Sequence, residues 1–139
     1  MMKHFTRAFS LLVLLTVTTS LRAEPVVICN SSISVASISK TELTRIFTGK
    51  SKFVAGKKVI IAALTGRKAG NGDFKAVTDK SVRQFWSTWK RLVFTGKGNM
   101  PKKFSSPEEL VKFVAATPNA IGFVPQGTAT GNAKVLKVE

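Results

Sequence analysis

The stretch Val59-Ile60-Ile61-Ala62-Ala63-Leu64-Thr65-Gly66-Arg67-Lys68-Ala69-Gly70-Asn71-Gly72-Asp73-Phe74 passes from an unbroken apolar run into a glycine-rich loop with two cations. The run is short and β-branched at its start, which suits a strand covered on both faces by helices. A helix is predicted to begin near Gly72 or Asp73, to carry Phe74 and Val77 inward, and to break at Asp79-Lys80-Ser81. Strand, loop and helix together form the unit that the remainder of the chain has to fit.

On the N-terminal side, Pro25-Val26-Val27-Ile28-Cys29-Asn30 reads as another buried strand, inside the sheet, and Ser31 to Ser37 as a serine-rich connection. Ser39 is placed to cap the next helix, with Glu42 completing a capping box, and Leu43, Ile46 and Phe47 share one face. The end of that helix, Ile46-Phe47-Thr48-Gly49-Lys50, returns as Val93-Phe94-Thr95-Gly96-Lys97. Both copies read as helix exits, with glycine in the left-handed conformation and lysine near the last carbonyls. No other segment echoes at the same offset, so the chain is not a repeat protein.

On the C-terminal side, Ser81 and Gln84 form a second capping box. Phe85, Trp86, Trp89, Leu92 and Val93 follow as an apolar stripe at helical period, which assigns the tryptophans to the core. Lys97 to Lys103 is read as a basic loop. Ser106-Pro107-Glu108-Glu109 starts a helix with cap, proline and acids in order, and Leu110, Val111, Phe113 and Val114 supply its buried face. After the turn at Pro118-Asn119, Ala120 to Pro125 is a third strand. Gln126 to Asn132 then leads to a last strand, Ala133 to Val138, whose alternation suits a sheet edge. The sum is a three-layer α/β/α domain with a mainly parallel sheet. In such sheets ligands sit beyond the carboxyl ends of the strands, which singles out the segments after Cys29, Leu64 and Val124.

Lys3 and Arg7, the apolar run Phe9 to Val17 and the small residue Ala23 have the order of a secretory signal, with cleavage expected after Ala23. The run is too short for a stable membrane anchor, for which about 20 apolar residues are needed, and no later segment approaches that length. Val26-Val27-Ile28 before Cys29 lacks the small residue that lipid modification of that cysteine would need. Residues 24–139 then make one domain. Removing residues 1–23 takes away Lys3, Arg7 and Arg22 but no acid, which lowers the net charge from +15 to +12. Such an excess favours anions of every kind: phosphate, acidic headgroups, polyanions or an acidic protein.

His4 is the only histidine and there is no tyrosine, so residues 24–139 carry no imidazole or phenol for acid-base or nucleophilic chemistry. A serine triad is excluded and no catalytic residue is assigned. One cysteine forms neither an intramolecular disulfide nor a zinc cluster, and Cys29 in its apolar strand reads as a small buried hydrophobe. No metal site, cofactor or specific nucleic-acid partner is indicated.

For anion binding the loop after Leu64 is the best candidate. Its glycines let backbone N–H groups approach a ligand, a helix N-terminus adds its positive end, and Arg67 is able to hold two oxygens at once. Thr65, and Ser31 and Ser32 after the first strand, offer hydroxyl donors. The lysines at 50, 52, 57 and 58, and those at 97, 102 and 103, form a solvated face or a surface for an acidic partner.

Leu43-x-x-Ile46-Phe47-x-Gly49-Lys50 with Phe53 and Gly56, then Phe85-x-x-x-Trp89, Phe94-x-Gly96-x-Gly98, Pro101 and Ala120-Ile121-Gly122-Phe123-Val124, resembles the phosphate-binding periplasmic proteins of ABC transporters. The later motifs look like the continuation found in short, stand-alone relatives, and the resemblance covers roughly residues 26 to 125. It implies one lobe of the type II periplasmic binding fold. It further implies a cleft whose second wall is missing or comes from another molecule, and phosphate or a related oxyanion held by Arg67, Asn71 and the backbone of Gly72. This chain departs from the family's pattern at Asp73, where the family has a threonine hydroxyl, and a carboxylate there disfavours a fully ionised anion. The alternative is an interaction protein of the cell envelope that keeps the fold without the ligand and uses its basic surface on an acidic partner or polyanion.

Overall fold

The structure is a computed structural model and describes residues 24–139; the expected secretory signal and its cleavage after Ala23 lie outside the described residues. Six strands form the main sheet: β1 (Val26–Cys29), β2 (Ser37–Ile38), β5 (Ile60–Leu64), β6 (Lys102–Phe104), β7 (Ala120–Val124) and β8 (Lys134–Val138), in the order β2-β8-β1-β7-β5-β6. A small hairpin, β3 (Phe53–Val54) and β4 (Lys57–Lys58), turns at Ala55-Gly56. The helices are α1 (Lys40–Phe47), α2 (Asn71–Thr78), α3 (Val82–Phe94) and α4 (Pro107–Ala116).

The pairings β2 with β8, β5 with β6 and β5 with β7 are parallel, whereas β1 is antiparallel to both β7 and β8. Five strands therefore run one way and β1 alone runs the other. This corrects the expectation that the segments after Cys29, Leu64 and Val124 share one end of the sheet. The register of Cys29 with Ile121 and of Val26 with Val124 sends the chain after β1 to the opposite end. Two local expectations also change. Lys102 and Lys103 belong to an edge strand rather than a loop, and β8 lies one place in from the edge, flanked by the two-residue β2.

Alternation along β7 sorts the helices into layers. Gly122 faces α4, where Leu110 fills the space a side chain would take, while Phe123 faces the other way and meets the rings of Phe47 and Phe74 edge-on at 5.3 and 4.9 Å. One helix thus covers one face, α1 and α2 with α3 behind them cover the other, and the order is α/β/α. Ile28, Cys29, Ile121, Ala62 and Ala63 are fully buried between the layers.

The helix ends follow their local chemistry. Ser81 and Gln84 exchange both bonds of a capping box, and the Ser106 hydroxyl accepts from the Glu109 N–H. At Ser39 only the serine half forms, with the Glu42 N–H as donor. Gly49 and Gly96 adopt φ of +78° and +72°. In both exits the glycine N–H reaches back three residues, to Ile46 and Val93, and the following lysine N–H five, to Arg45 and Leu92, which is the Schellman arrangement.

Candidate functional site

Strand β5 delivers the chain to the loop in a fixed position. The Thr65 N–H donates to the Phe104 carbonyl at 2.8 Å, continuing the β5–β6 ladder, and the Thr65 hydroxyl lies 3.4 Å from the same oxygen. Gly66 then takes φ of +71° to open a single 3-10 turn over Gly66–Lys68, which leaves Arg67 and Lys68 exposed. Gly70 stands at the N-cap of α2 and offers no side-chain acceptor.

The first N–H with an acceptor inside the helix is that of Phe74, bonded to the Gly70 carbonyl at 3.1 Å. The N–H groups of Asn71, Gly72 and Asp73 have no acceptor among the described residues, so they add their dipoles at the positive end of α2. A Cβ at Gly72 would meet nothing within 4 Å, and Asn71 and Gly72 are both exposed. Arg67 has no carboxylate partner either, since the one ion pair among the described residues joins Lys40 to Asp79.

Asp73 limits what the loop can hold. It is half-buried in the first turn of α2, and burial pushes its carboxyl above the ordinary aspartate range, with the nearby Glu24 carboxylate acting in the same direction. Each makes ionised Asp73 less favourable, and a bound anion acts in the same sense.

Of the residues expected to contribute, Thr65, Arg67, Asn71 and Gly72 come together at this end of the sheet. Asn71 does so with its side chain already engaged, because Oδ1 accepts from the Val82 N–H at 3.0 Å and caps α3. Ser31 and Ser32 are not brought to this loop. They follow β1 to the opposite end, where Ser32 Oγ accepts from the Asn119 N–H at 2.8 Å and donates to Asn119 Oδ1 at 3.2 Å. Asn30 Nδ2 donates to the carbonyls of Val114 and Ala115, so this corner closes the end of α4. Glu24, which sequence reasoning passed over, joins the site only through its proximity to Asp73, a tertiary relationship with no signal in the chain.

The loop lies on open surface. Two clefts among the described residues do not include it: one, of about 430 Å³, runs beside Val26, Leu43, Val77 and Leu136, and the other, of about 720 Å³, lies at the far end of β5. What this end of the sheet presents is a single wall with one guanidinium, three free N–H groups and one partly buried carboxyl.

The chain superposes on an ABC-type phosphate transport receptor from Vibrio cholerae with a TM-score of 0.60 and 13% identity, over 84% of this chain and 46% of that one. It is similar to a protein from Clostridium perfringens assigned as a phosphate ABC transporter substrate-binding protein and solved with bound phosphate, with a TM-score of 0.63, 11% identity, and 84% and 45% coverage. It is also similar to PstS from Borrelia burgdorferi, with a TM-score of 0.57, 16% identity, and 84% and 47% coverage. The chain thus spans a little under half of each of these proteins, and its fold resembles a single lobe of a type II periplasmic binding protein. No protein-family model matches the chain, and no curated protein does.

Proposed function

We propose that this protein is a non-enzymatic solute-binding module for phosphate or a related small oxyanion, acting outside the cytoplasm after removal of residues 1–23. The observation that carries this reading is that Arg67, free of any carboxylate partner among the described residues, lies in the loop that leads directly to the three unbonded N–H groups at the start of α2. A guanidinium and a helix N-terminus are complementary to tetrahedral oxyanions in charge and in donor geometry. The likeness of the fold to solved phosphate receptors supports the same reading. Because the wall is open, the anion is held weakly by one copy, and a second molecule supplies the facing wall when binding is tight.

Asp73 sets the anion's protonation state. Ionised, it repels a dianion; against a protonated phosphate it accepts the ligand's proton and the pair becomes attractive. The module therefore prefers an oxyanion that carries a hydrogen over one that does not.

Titration calorimetry of the folded protein with phosphate and with sulfate tests the reading. Heat with phosphate, lost in Arg67→Ala, is the expected result. A folded sample that gives no heat with either anion would overturn it.

A further inference from the structure

The exit of α1 at Gly49 and the loop after α3 at Gly98, far apart in sequence, meet at one ring. The six-membered ring of Trp89 lies between Gly49 and Gly98: a Cβ on Gly49 would sit 3.3 Å from Cη2, and one on Gly98 would sit 3.2 Å from Cζ3. Glycine at both positions allows the α1 exit and the loop after α3 to approach the indole closely. This brings the β3–β4 hairpin and the loop leading into β6 to the two banks of the 720 Å³ cleft. Ile60, Trp89 and Met100 contribute apolar floor, and Lys52, Lys58 and Lys102 stand around it.

The charge here is uncompensated. There is no acid from Leu43 to Gly72 and none from Lys80 to Pro107, and the one ion pair among the described residues lies elsewhere. Apolar exposure borders the cleft as well, although Val135 and Val138 on β8 are also exposed. Phe94, two residues before Gly96 of the cleft wall, is 92% exposed, and Phe53, next to Lys52 and in register with Lys58, is 56% exposed. A solvated lysine face explains the cations alone and leaves the two phenylalanines without a role.

We propose that this cleft is a docking site for an acidic polypeptide segment that carries apolar side chains between its carboxylates. Concavity favours a chain segment over a flat bilayer. The apolar floor and flanking phenylalanines would stay wet under a bare polyanion, whereas an acidic and apolar segment covers them while its carboxylates reach the lysines. The site lies at the start of β5, opposite the Thr65–Asp73 loop, so it stands or falls independently of oxyanion binding.

Fluorescence anisotropy with a fluorescein-labelled peptide of alternating glutamate and leucine, titrated with the full protein, tests this. Saturable binding is expected, weakened about tenfold or more by the Lys58→Glu, Lys102→Glu pair and clearly weakened by Phe94→Ser, as loss of docked charge and anchor predicts. Lys137→Glu, on β8 three strands away from β5, should change it by less than about twofold in moderate salt. Equal weakening by Lys137→Glu and by the pair, equally tight binding of an all-glutamate peptide, or absence of peptide binding would each overturn the proposal. Binding of phosphatidylglycerol vesicles or of a single-stranded oligonucleotide in place of the peptide would reassign the surface and overturn it as well.

Discussion

Trp89 Nε1 donates a 2.9 Å hydrogen bond to the carbonyl oxygen of Phe47. That oxygen belongs to the last turn of α1, where carbonyls have no partner inside the helix, so α3 satisfies what α1 cannot.

Trp89→Phe keeps most of the ring volume and removes the donor. Leaving a buried carbonyl unpaired costs about 1–3 kcal/mol, and the midpoint of urea unfolding should fall accordingly. Trp89→Ala also opens a cavity and should cost about 3–5 kcal/mol. An unchanged midpoint in Trp89→Phe, with the loss confined to Trp89→Ala, would show that the hydrogen bond contributes little.

Gly49 and Gly96 provide a matched pair. Their φ values are close, but a Cβ at Gly96 meets nothing within 4 Å, whereas one at Gly49 collides with the end of the Leu92 side chain. Gly96→Ala should therefore cost only the left-handed strain, about 1–2 kcal/mol. Gly49→Ala should add about 1–3 kcal/mol of overpacking. The difference between their unfolding free energies reads the closeness of α1 to α3 directly.

Much of this was legible because it is local. Ser81 with Gln84, Ser106 before Pro107, and the glycines of both exits act within a few residues of themselves, and each behaves as its sequence implies. The apolar runs at Val26, Ile60 and Ala120 identify strands by their continuity, which reflects burial on both faces. The direction of β1 is not local. It depends on which strands flank it, and those lie about a hundred residues away in sequence. Ser31 and Ser32 were grouped with Arg67 on the assumption of one common direction, and the reversal of a single strand separates them. Lys102 and Lys103 gave no strand signal because an edge strand carrying lysines lacks the apolar alternation of an inner one.

Asp73 determines how anion binding responds to pH. Its carboxyl titrates above the ordinary range, so lowering the pH toward that raised value neutralises it and removes its repulsion of a bound anion. Sulfate stays fully ionised over this range, so its affinity should rise as the pH falls. In Asp73→Thr that pH dependence should be largely lost. Affinity at neutral pH should be higher on the order of tenfold, the effect of removing one nearby like charge worth about 1.4 kcal/mol. Calorimetry with sulfate at several pH values checks both, and a flat profile in the parent protein would count against a role for Asp73.

Cys29 is fully buried on β1, and burial pushes its thiol up, with Lys134 opposing only in part. The thiolate is the reactive form, so the native protein should resist an aromatic disulfide reagent and react completely once unfolded in guanidinium. Rapid labelling of the folded protein would contradict the packing of β1.

The reversed strand has a consequence for the order in which the molecule becomes itself. β1 is near the start of the described chain, yet both of its neighbours, β7 and β8, come from residues 120–138. The middle of the sheet is therefore closed by the two most distant parts of the sequence, and that loop has to be shut before its contacts stabilise anything. A chain made from its N-terminus holds Val27, Ile28 and Cys29 unpartnered until residues 120–138 are available, so assembly of this sheet waits on that distant stretch.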